Sequence, residues 1–391
     1  MANRVFIFTR SLPFHHIGGM EVVAWDLAQA LARAGYDVKV ITTELSMDVD
    51  LCDKVNPKIH VIKNSIPGKY SNSWWVGTRD FIDHEMDENV KAIISVSAAG
   101  FNSLHVKKNY PQVKCIMQAH GTSWGEFISK WKKPTIKKCL SSLGNVRGYI
   151  KDAFFYNKFD FIVAIGPAVE CSLKSVPTSF ICNSNKVVKI ENGIDESMFL
   201  YDESKRKIER RALGIDDDAL VCISVSRLHN QKGVDNNIYS FKKLLDLYSN
   251  SYYIVCGEGN EEGELKKIVK DLNIEEKVIF VGGVSREKIS SLMSSADIFI
   301  FLTKRVEGLP LNVLEAMSSG LSMVISEHLT FEQSEKVILV NSHDIDLASS
   351  SIYNLFINNK SHDRTSYIED KNTLHSSILK YNALFKNKMI N

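Results

Sequence analysis

Runs rich in Val, Ile and Phe alternate with amphipathic helical patterns along the whole chain, and this alternation limits the fold more than any single motif does. "VFIFTR" is followed by "MEVVAWDLAQALARAG", whose apolar positions Val22, Val23, Leu27, Ala30 and Leu31 recur at helical spacing, and then by "DVKVITT". Strands are expected again at "AIISVS", "KCIMQAH", "FDFIVAIG" and "KVVKIENG". The second half repeats the pattern with "ALVCISVS", "YYIVCGEG", "KVIFVGG", "ADIFIFLT" and "LSMVIS". Such alternation builds βαβ units, and hence parallel sheets with helices on both faces.

Two runs of this pattern flank "ENGIDESMFLYDE", which holds the turn former Gly193, lacks sustained periodicity and opens into a charged helix. The inter-domain connection is expected there, with one α/β domain over residues 1–190 and a second over 191–371. The last helix, within residues 372–391, has no strand after it and is assigned to the first domain. A length of 391 residues also favours two cores over one. Two such domains facing each other would make a cleft lined by the loops at the carboxyl ends of their strands, so binding residues are sought on those loops.

Composition removes several classes of function. With 44% apolar and 24% charged residues the chain is not a disordered one. A formal net charge of +2 gives no global field for nucleic acid, so any basic surface must be local. Seven cysteines stand singly, without a C-x-x-C pair, which speaks against a disulfide framework or zinc site and for a reducing cytoplasm. The N-terminal "MANRVFIFTRSLPF" reads as a first strand rather than a signal peptide, and no stretch approaches the about 18 apolar residues of a membrane span.

Several strand-end loops carry residues suited to an anion. Gly18 and Gly19 stand just before a helix, where bare backbone amides can approach a phosphate; a plain flexible turn is the equal alternative. In "SVSRLHNQKGVDN", Arg227 and Lys232 share one loop before a helix that begins near Val234. A guanidinium fork and an ammonium point charge at a strand end suit a diphosphate better than bulk water. "CGEGNEEG" contributes Gly257, Gly259 and Gly263, with a spacing that misses the dinucleotide fingerprint, and "FVGGVSREK" contributes Gly282, Gly283 and Val284, where backbone can edge against a flat base. His120 and Gly121 end a buried strand in "MQAHGTSWGEF"; the histidine can bind a ligand or satisfy backbone groups.

"RVEGLPLNVLEAM" places Glu307 before a Gly-Leu-Pro turn and Glu315 eight positions on, inside a helix with Pro310 near its first position. Amides of Leu309, Leu311 and Asn312 are positioned to hold a phosphate. A carboxylate beside a phosphate repels it unless it binds something else, and sugar hydroxyls are good donors to a carboxylate. A capping glutamate and a solvated one are the bland alternative.

Together these residues resemble retaining glycosyltransferases of the family 4 (GT4) type, in which "RVEGLPLNVLEAM" matches the E-x7-E signature. "GGMEVVAWDLAQALARAGYDVKVIT", "AHG", "NGID", "SRLHNQKG", "GEGNEEGELKKIVKDLNIEEKVIFVGGV" and "SADIFIFLTKRVEGLP" agree in order and spacing, so the resemblance covers nearly the whole chain. It implies the GT-B fold of two facing Rossmann-like domains. It implies that Arg227 and Lys232 stabilise the leaving nucleotide diphosphate, with amides at Gly19 and around Leu309 to Asn312. By the same resemblance Glu315 binds ribose hydroxyls, Glu307 a donor-sugar hydroxyl, and His120 the sugar near the reacting carbon. No metal or cofactor is expected, because cations and a helix end do the charge stabilisation. The expected reaction moves a hexose or N-acetylhexosamine from a nucleotide sugar, UDP favoured over GDP, to an envelope glycan or glycolipid such as lipopolysaccharide, O-antigen or capsule.

Three alternatives remain from the residues. An epimerase or phosphorylase could use the same twin-domain scaffold. A non-catalytic sugar-nucleotide binder is prompted by "EHLTFEQSEKVILVNSHD", a glycine-free loop where relatives carry a second glycine-rich turn. A metal-dependent single-domain transferase is disfavoured, since "DVD" at 48–50 and "DID" at 344–346 are not both at a strand end near a diphosphate loop. Separately, Lys130, Lys132, Lys133, Lys137 and Lys138 surround Trp131; a solvated helix face is the common fate of such a run, and an anionic membrane surface the functional one.

Overall fold

The structure is a computed structural model that describes residues 3–15, 18–45, 56–131, 136–358 and 363–386. It divides into two compact units, Met1–Gly193 with Asp370–Asn391, and Ile194–Glu369. The cuts thus fall at Gly193 and Glu369, where the sequence pattern had set them at residues 190 and 371.

The first unit is built on a parallel sheet of β1 (Arg4–Phe8), β2 (Asp37–Thr43), β3 (Lys58–Ile62), β4 (Val90–Val96), β5 (Lys114–Ala119), β6 (Phe161–Ala164) and β7 (Val187–Lys189), in the order β3-β2-β1-β4-β5-β6-β7. The second has β8 (Leu220–Val225), β9 (Ser251–Cys256), β10 (Val278–Gly282), β11 (Ile298–Phe301), β12 (Ser322–Ser326) and β13 (Val337–Val340), in the order β10-β9-β8-β11-β12-β13. Both orders are Rossmann-like, with the strand direction of travel reversing beside the first strand of each sheet.

The unbroken apolar runs follow from burial on both faces. In β1, Phe6 and Phe8 enter one hydrophobic cluster while Val5 and Ile7 enter the other. In β11, Phe299 and Phe301 pack on one side and Ile298 and Ile300 on the opposite one. Truncating such a phenylalanine to alanine costs about 3–5 kcal/mol. The two strands absent from the sequence expectation, β3 and β13, are both sheet edges. An edge strand has one neighbour and less burial, so β3 reads as "KIHVI", with only Ile62 buried. β13 lies inside the segment taken as a loop after Ser326, which corrects that reading.

The helix Leu374–Phe385 returns to the first unit, where Leu374, Ile378, Tyr381 and Leu384 join the cluster beneath β1. Asn372 Nδ2 donates to Glu191 Oε2 at 3.0 Å, and a Cβ on Gly193 would lie 2.4 Å from Thr373 O. Glycine is therefore needed where the outgoing and returning strands of chain pass each other.

Candidate active site

In the second unit β8 and β11 are parallel neighbours, Cα partners Cys222 and Ile298, and their onward connections run to opposite sides of the sheet. Ligands of open α/β sheets bind at such a switch point, beyond the carboxyl ends of the strands. The loops that leave there carry Arg227 and Lys232 after β8, and Glu307 after β11.

Close backbone approaches fix these loops to one another. Gly233, with φ +68°, ends the short turn Asn230–Lys232 and starts the helix Val234–Leu247; a Cβ there would sit 1.8 Å from Leu302 O. Gly257, with φ +132°, lets the loop after β9 pass Ser226 O, which a Cβ would meet at 1.9 Å. Lys304 N and Thr303 Oγ1 both donate to Gln231 O, at 2.9 and 3.1 Å, and Leu228 N donates to Glu258 O at 2.9 Å. The result is a cavity of about 310 Å³ lined by Arg227, Leu228, His229, Gln231, Lys232, Glu258, Gly259, Asn260 and Arg305.

Its cations outnumber its carboxylates, as an anion site requires. Arg227 and Arg305 are exposed. Lys232 is not a solvated surface lysine: its Nζ donates to Glu307 Oε1 at 2.8 Å and lies 5.6 Å from the centre of the Phe301 ring. Thr303 Oγ1 lies 3.4 Å from the same Glu307 oxygen, as an alternative acceptor to Gln231 O. Lys304, in the same loop, is held by Asp235 at 2.6 Å. The loop after β12 reaches the same place, with His328 Nε2 3.0 Å from Arg305 O.

Glu315 has a different partner. It is buried within the helix Leu311–Ser318, 3.1 Å from a guanidinium nitrogen of Arg286, whose carbon stands 5.2 Å from the Phe199 ring centre. Pro310 occupies the capping position before that helix, so the first turn opens at Leu311. Asn312 Nδ2 donates to Val225 O at 2.7 Å and ties the helix start to the end of β8. Gly257 N donates to Gly282 O at 2.9 Å, bringing the loop with Val284 alongside, and Leu309 is buried beneath.

Gly18, Gly19 and His120 belong to the first unit. Gly18 is extended (φ −156°) and Gly19 begins the helix Gly19–Arg33, where a Cβ would meet no atom within 4 Å. His120 follows β5, with Nε2 3.0 Å from Gln118 Oε1, while Gln118 Nε2 donates to Tyr381 Oη at 3.1 Å. Burial pushes its imidazole down from 6.5 to about 4. A buried three-residue relay from the last helix thus orients a neutral histidine at a strand end.

Sequence reasoning missed two residues. Arg286 carries no motif and is revealed only by its contact with Glu315. Arg305 is brought to the cavity wall only by the loop geometry. A smaller cavity of about 30 Å³ at the amino ends of β11 and β12 includes Arg206 and Arg364. Their donors are committed to Asp297 and to the carbonyls of Met293, Ser295, Ala296 and Ser319, so its role is structural. Of the basic run, Trp131 is half exposed at the end of the helix Ser123–Trp131. Lys132 and Lys133, with the side chains of Lys130, Lys137 and Lys138, lie outside the described residues.

Known proteins resemble this chain in sequence and in fold. The family described as Glycosyl transferases group 1 matches residues 205–369, and Glycosyltransferase Family 4 matches residues 17–197. The uncharacterized glycosyltransferase MJ1607 of Methanocaldococcus jannaschii is 25% identical over 339 residues, 83% of this chain and 80% of that one. The O-antigen biosynthesis glycosyltransferase WclY of Escherichia coli is 31% identical over 200 residues, 51% of this chain and 50% of that one. The crystal structure of HepE of Anabaena in complex with UDP and glucose superposes with a TM-score of 0.73 at 15% identity, covering 99% of this chain and 100% of that one. Family matches to each half and a shared architecture over the full length make this chain a glycosyltransferase of the family 4 (GT4) type, with the GT-B fold of two Rossmann-like parallel-sheet domains.

Proposed function

We propose that the chain transfers a hexose or N-acetylhexosamine from a nucleotide diphosphate sugar, UDP-linked in preference to GDP-linked, to an envelope polysaccharide or glycolipid acceptor. The observation that carries this reading is the Lys232–Glu307 pair, whose lysine lines a cavity together with Arg227 and Arg305. A cation and a carboxylate in contact serve a ligand that offers both an oxyanion and hydroxyl donors, and a sugar diphosphate does. Similarity to an O-antigen biosynthesis glycosyltransferase supports the acceptor class, and a structural neighbour is seen in complex with UDP.

In this reading Arg227 and Lys232 take the diphosphate, with amides at Leu311, Asn312 and Gly19. Each unit charge placed about 4 Å from a phosphate oxygen contributes about 4 kcal/mol at an effective dielectric near 20. Glu307 then accepts from a sugar hydroxyl, Glu315 from the ribose, and backbone near Gly257, Gly282 and Val284 edges the base. His120, neutral and oriented by Gln118, contacts the sugar by the reacting carbon. The bond from that carbon to the phosphate oxygen breaks as the acceptor hydroxyl attacks the same face, and the departing phosphate oxygen takes the hydroxyl proton. Configuration is retained without a protein nucleophile, and the cations supply the stabilisation for which a metal would otherwise serve. The acceptor is reached at the cytoplasmic face of an anionic membrane, to which Lys130, Trp131, Lys132, Lys133, Lys137 and Lys138 contribute.

Calorimetry with UDP, GDP and ADP tests the donor site before any acceptor is known. Binding of one of them, lost in Arg227→Ala and Lys232→Ala, is the expected result. No heat with any nucleoside diphosphate overturns the reading.

A further inference from the structure

We propose that the first unit reads an oxyanion on the acceptor, the phosphate or carboxylate of an acidic sugar, through Arg10 at the carboxyl end of β1. This deepens the reading above and rests on it only for there being a sugar acceptor.

Four side chains from separate segments stack in sequence. Arg10, after β1, holds its guanidinium carbon 5.5 Å from the ring centre of Tyr70, in the segment after β3. The Tyr70 ring stacks on that of Trp75, at the start of the helix Asn72–Glu85, with centres 5.3 Å apart and planes at 28°. Lys151 Nζ, from the helix Ile136–Phe155, lies 5.2 Å from the Trp75 ring centre. A cation thus sits against each ring of the pair. Backbone ties hold the parts in place. Thr43 Oγ1, at the end of β2, donates to Arg10 O at 2.6 Å and accepts from Gly68 N at 2.8 Å, so one hydroxyl joins the two loops. Ser71 Oγ accepts from Trp74 N at 3.2 Å and caps the helix, and Asn102 Nδ2 donates to Trp75 O at 2.8 Å.

What the stack leaves unused points to the ligand. The other half-buried arginines of the described chain, Arg4, Arg206, Arg286 and Arg364, all donate to carboxylates or carbonyls. Arg10 is half-buried too, yet among the described residues no hydrogen bond or ion pair reaches its guanidinium. Contact with an aromatic face engages its charge and consumes none of its five N–H donors. A partly desolvated cation without an anion is costly to keep, and its planar fork fits a carboxylate or phosphate through two parallel bonds. Tyr70 adds a hydroxyl donor: burial pushes its phenol up to about 12, against the pull of Arg10, so it stays protonated at neutral pH. The neighbouring carboxylate, Glu21, is buried and accepts from Ser11 Oγ at 2.8 Å. Sheet topology marks the same place. The chain leaves β1 toward β2 and β4 toward β5, on opposite sides, so the first unit has its own switch point at the end that carries Arg10.

Calorimetry of the full chain with glucose 6-phosphate, glucuronate and glucose as probes tests this. The expected result is binding of an acidic sugar and none of glucose; which of the two acids binds identifies the oxyanion. Binding should weaken at least about tenfold in Arg10→Met and recover only in part in Arg10→Lys, which keeps the charge and loses the fork. Both variants should keep the wild-type circular dichroism spectrum and thermal shift with UDP. Acidic-sugar binding unchanged in Arg10→Met would overturn the proposal, as would glucose binding as tightly as the acids, or neither acid binding at all. A wild type that binds acidic sugars but no nucleotide would sink the donor assignment and leave the role of Arg10 standing.

Discussion

Lys232 and Glu307, 75 positions apart in sequence, meet at 2.8 Å where the loops after β8 and β11 converge, with side chains only 19% and 14% exposed. Without a donor they neutralise each other. The proposed donor replaces this one contact with two, phosphate to the lysine and hydroxyl to the glutamate.

That competition has a measurable consequence. In Glu307→Gln the lysine no longer has a charged partner, so a nucleoside diphosphate is expected to bind as tightly as in the wild type or tighter. Sugar transfer should nevertheless fall by at least about a hundredfold, the usual loss when one preorganised charged contact is removed. Lys232→Met should weaken both binding and transfer, and cost about 1–3 kcal/mol of stability by leaving a half-buried carboxylate with only Thr303. Calorimetry with UDP beside a transfer assay separates the two variants; weaker nucleotide binding in Glu307→Gln would remove the competition.

Arg286 acts through Glu315. A fixed guanidinium 3.1 Å from that carboxylate orients it as an acceptor. If Glu315 grips ribose hydroxyls, Arg286→Ala should weaken binding of the ribonucleotide about tenfold and barely change that of its 2′-deoxy counterpart. Arg286→Lys should recover part of the difference. An equal loss for both nucleotides would show that Arg286 merely supports the fold.

The pH response of His120 follows from its surroundings. Its folded imidazole titrates at about 4 against an ordinary 6.5, so between these values the unfolded chain binds more protons. Stability is therefore lost as pH falls from 6.5 toward 4, and is unaffected by this group above 6.5. Urea denaturation of the wild type and His120→Asn at pH 7 and pH 5 should show the smaller pH dependence in the variant. Tyr381→Phe, which unties Gln118 but leaves the burial in place, should keep the His120 titration seen by NMR at about 4.

The buried parts of the fold were legible because their physics is local. β8 and β11 are apolar on both faces and short, and no helix of that length could use such a run. β3 and β13 were not legible, since an edge strand needs only one neighbour and tolerates lysine and histidine. In the candidate site, Arg227, Lys232, Glu307 and Glu315 could be singled out by residue type at strand ends. Which carboxylate meets which cation could not, because the pairings Lys232–Glu307 and Arg286–Glu315 depend on loop closure across 75 and 29 positions.

Gly233 offers the sharpest check on that loop closure. Its φ of +68° costs any other residue about 1 kcal/mol or more, and a Cβ would stand 1.8 Å from Leu302 O, a backbone atom of the chain leaving β11. Neither side can yield cheaply. Leu302 N is held by Asn237 Oδ1 at 3.2 Å, and the next residue, Thr303, is bonded to Gln231. Gly233→Ala should thus lower stability by at least about 2 kcal/mol in chemical denaturation and part the two loops. Because Lys232 is the adjacent residue, its distance to Glu307 should grow and UDP binding should weaken more than the stability loss alone predicts. Gly214→Ala is the control: it has the same φ of +67° but no atom within 4 Å of its Cβ, and lies at the end of the helix Glu203–Leu213. It should pay only the conformational cost and leave nucleotide affinity unchanged. Equal effects of the two substitutions on UDP affinity would mean that the contact between Gly233 and Leu302 does not set the geometry of the site.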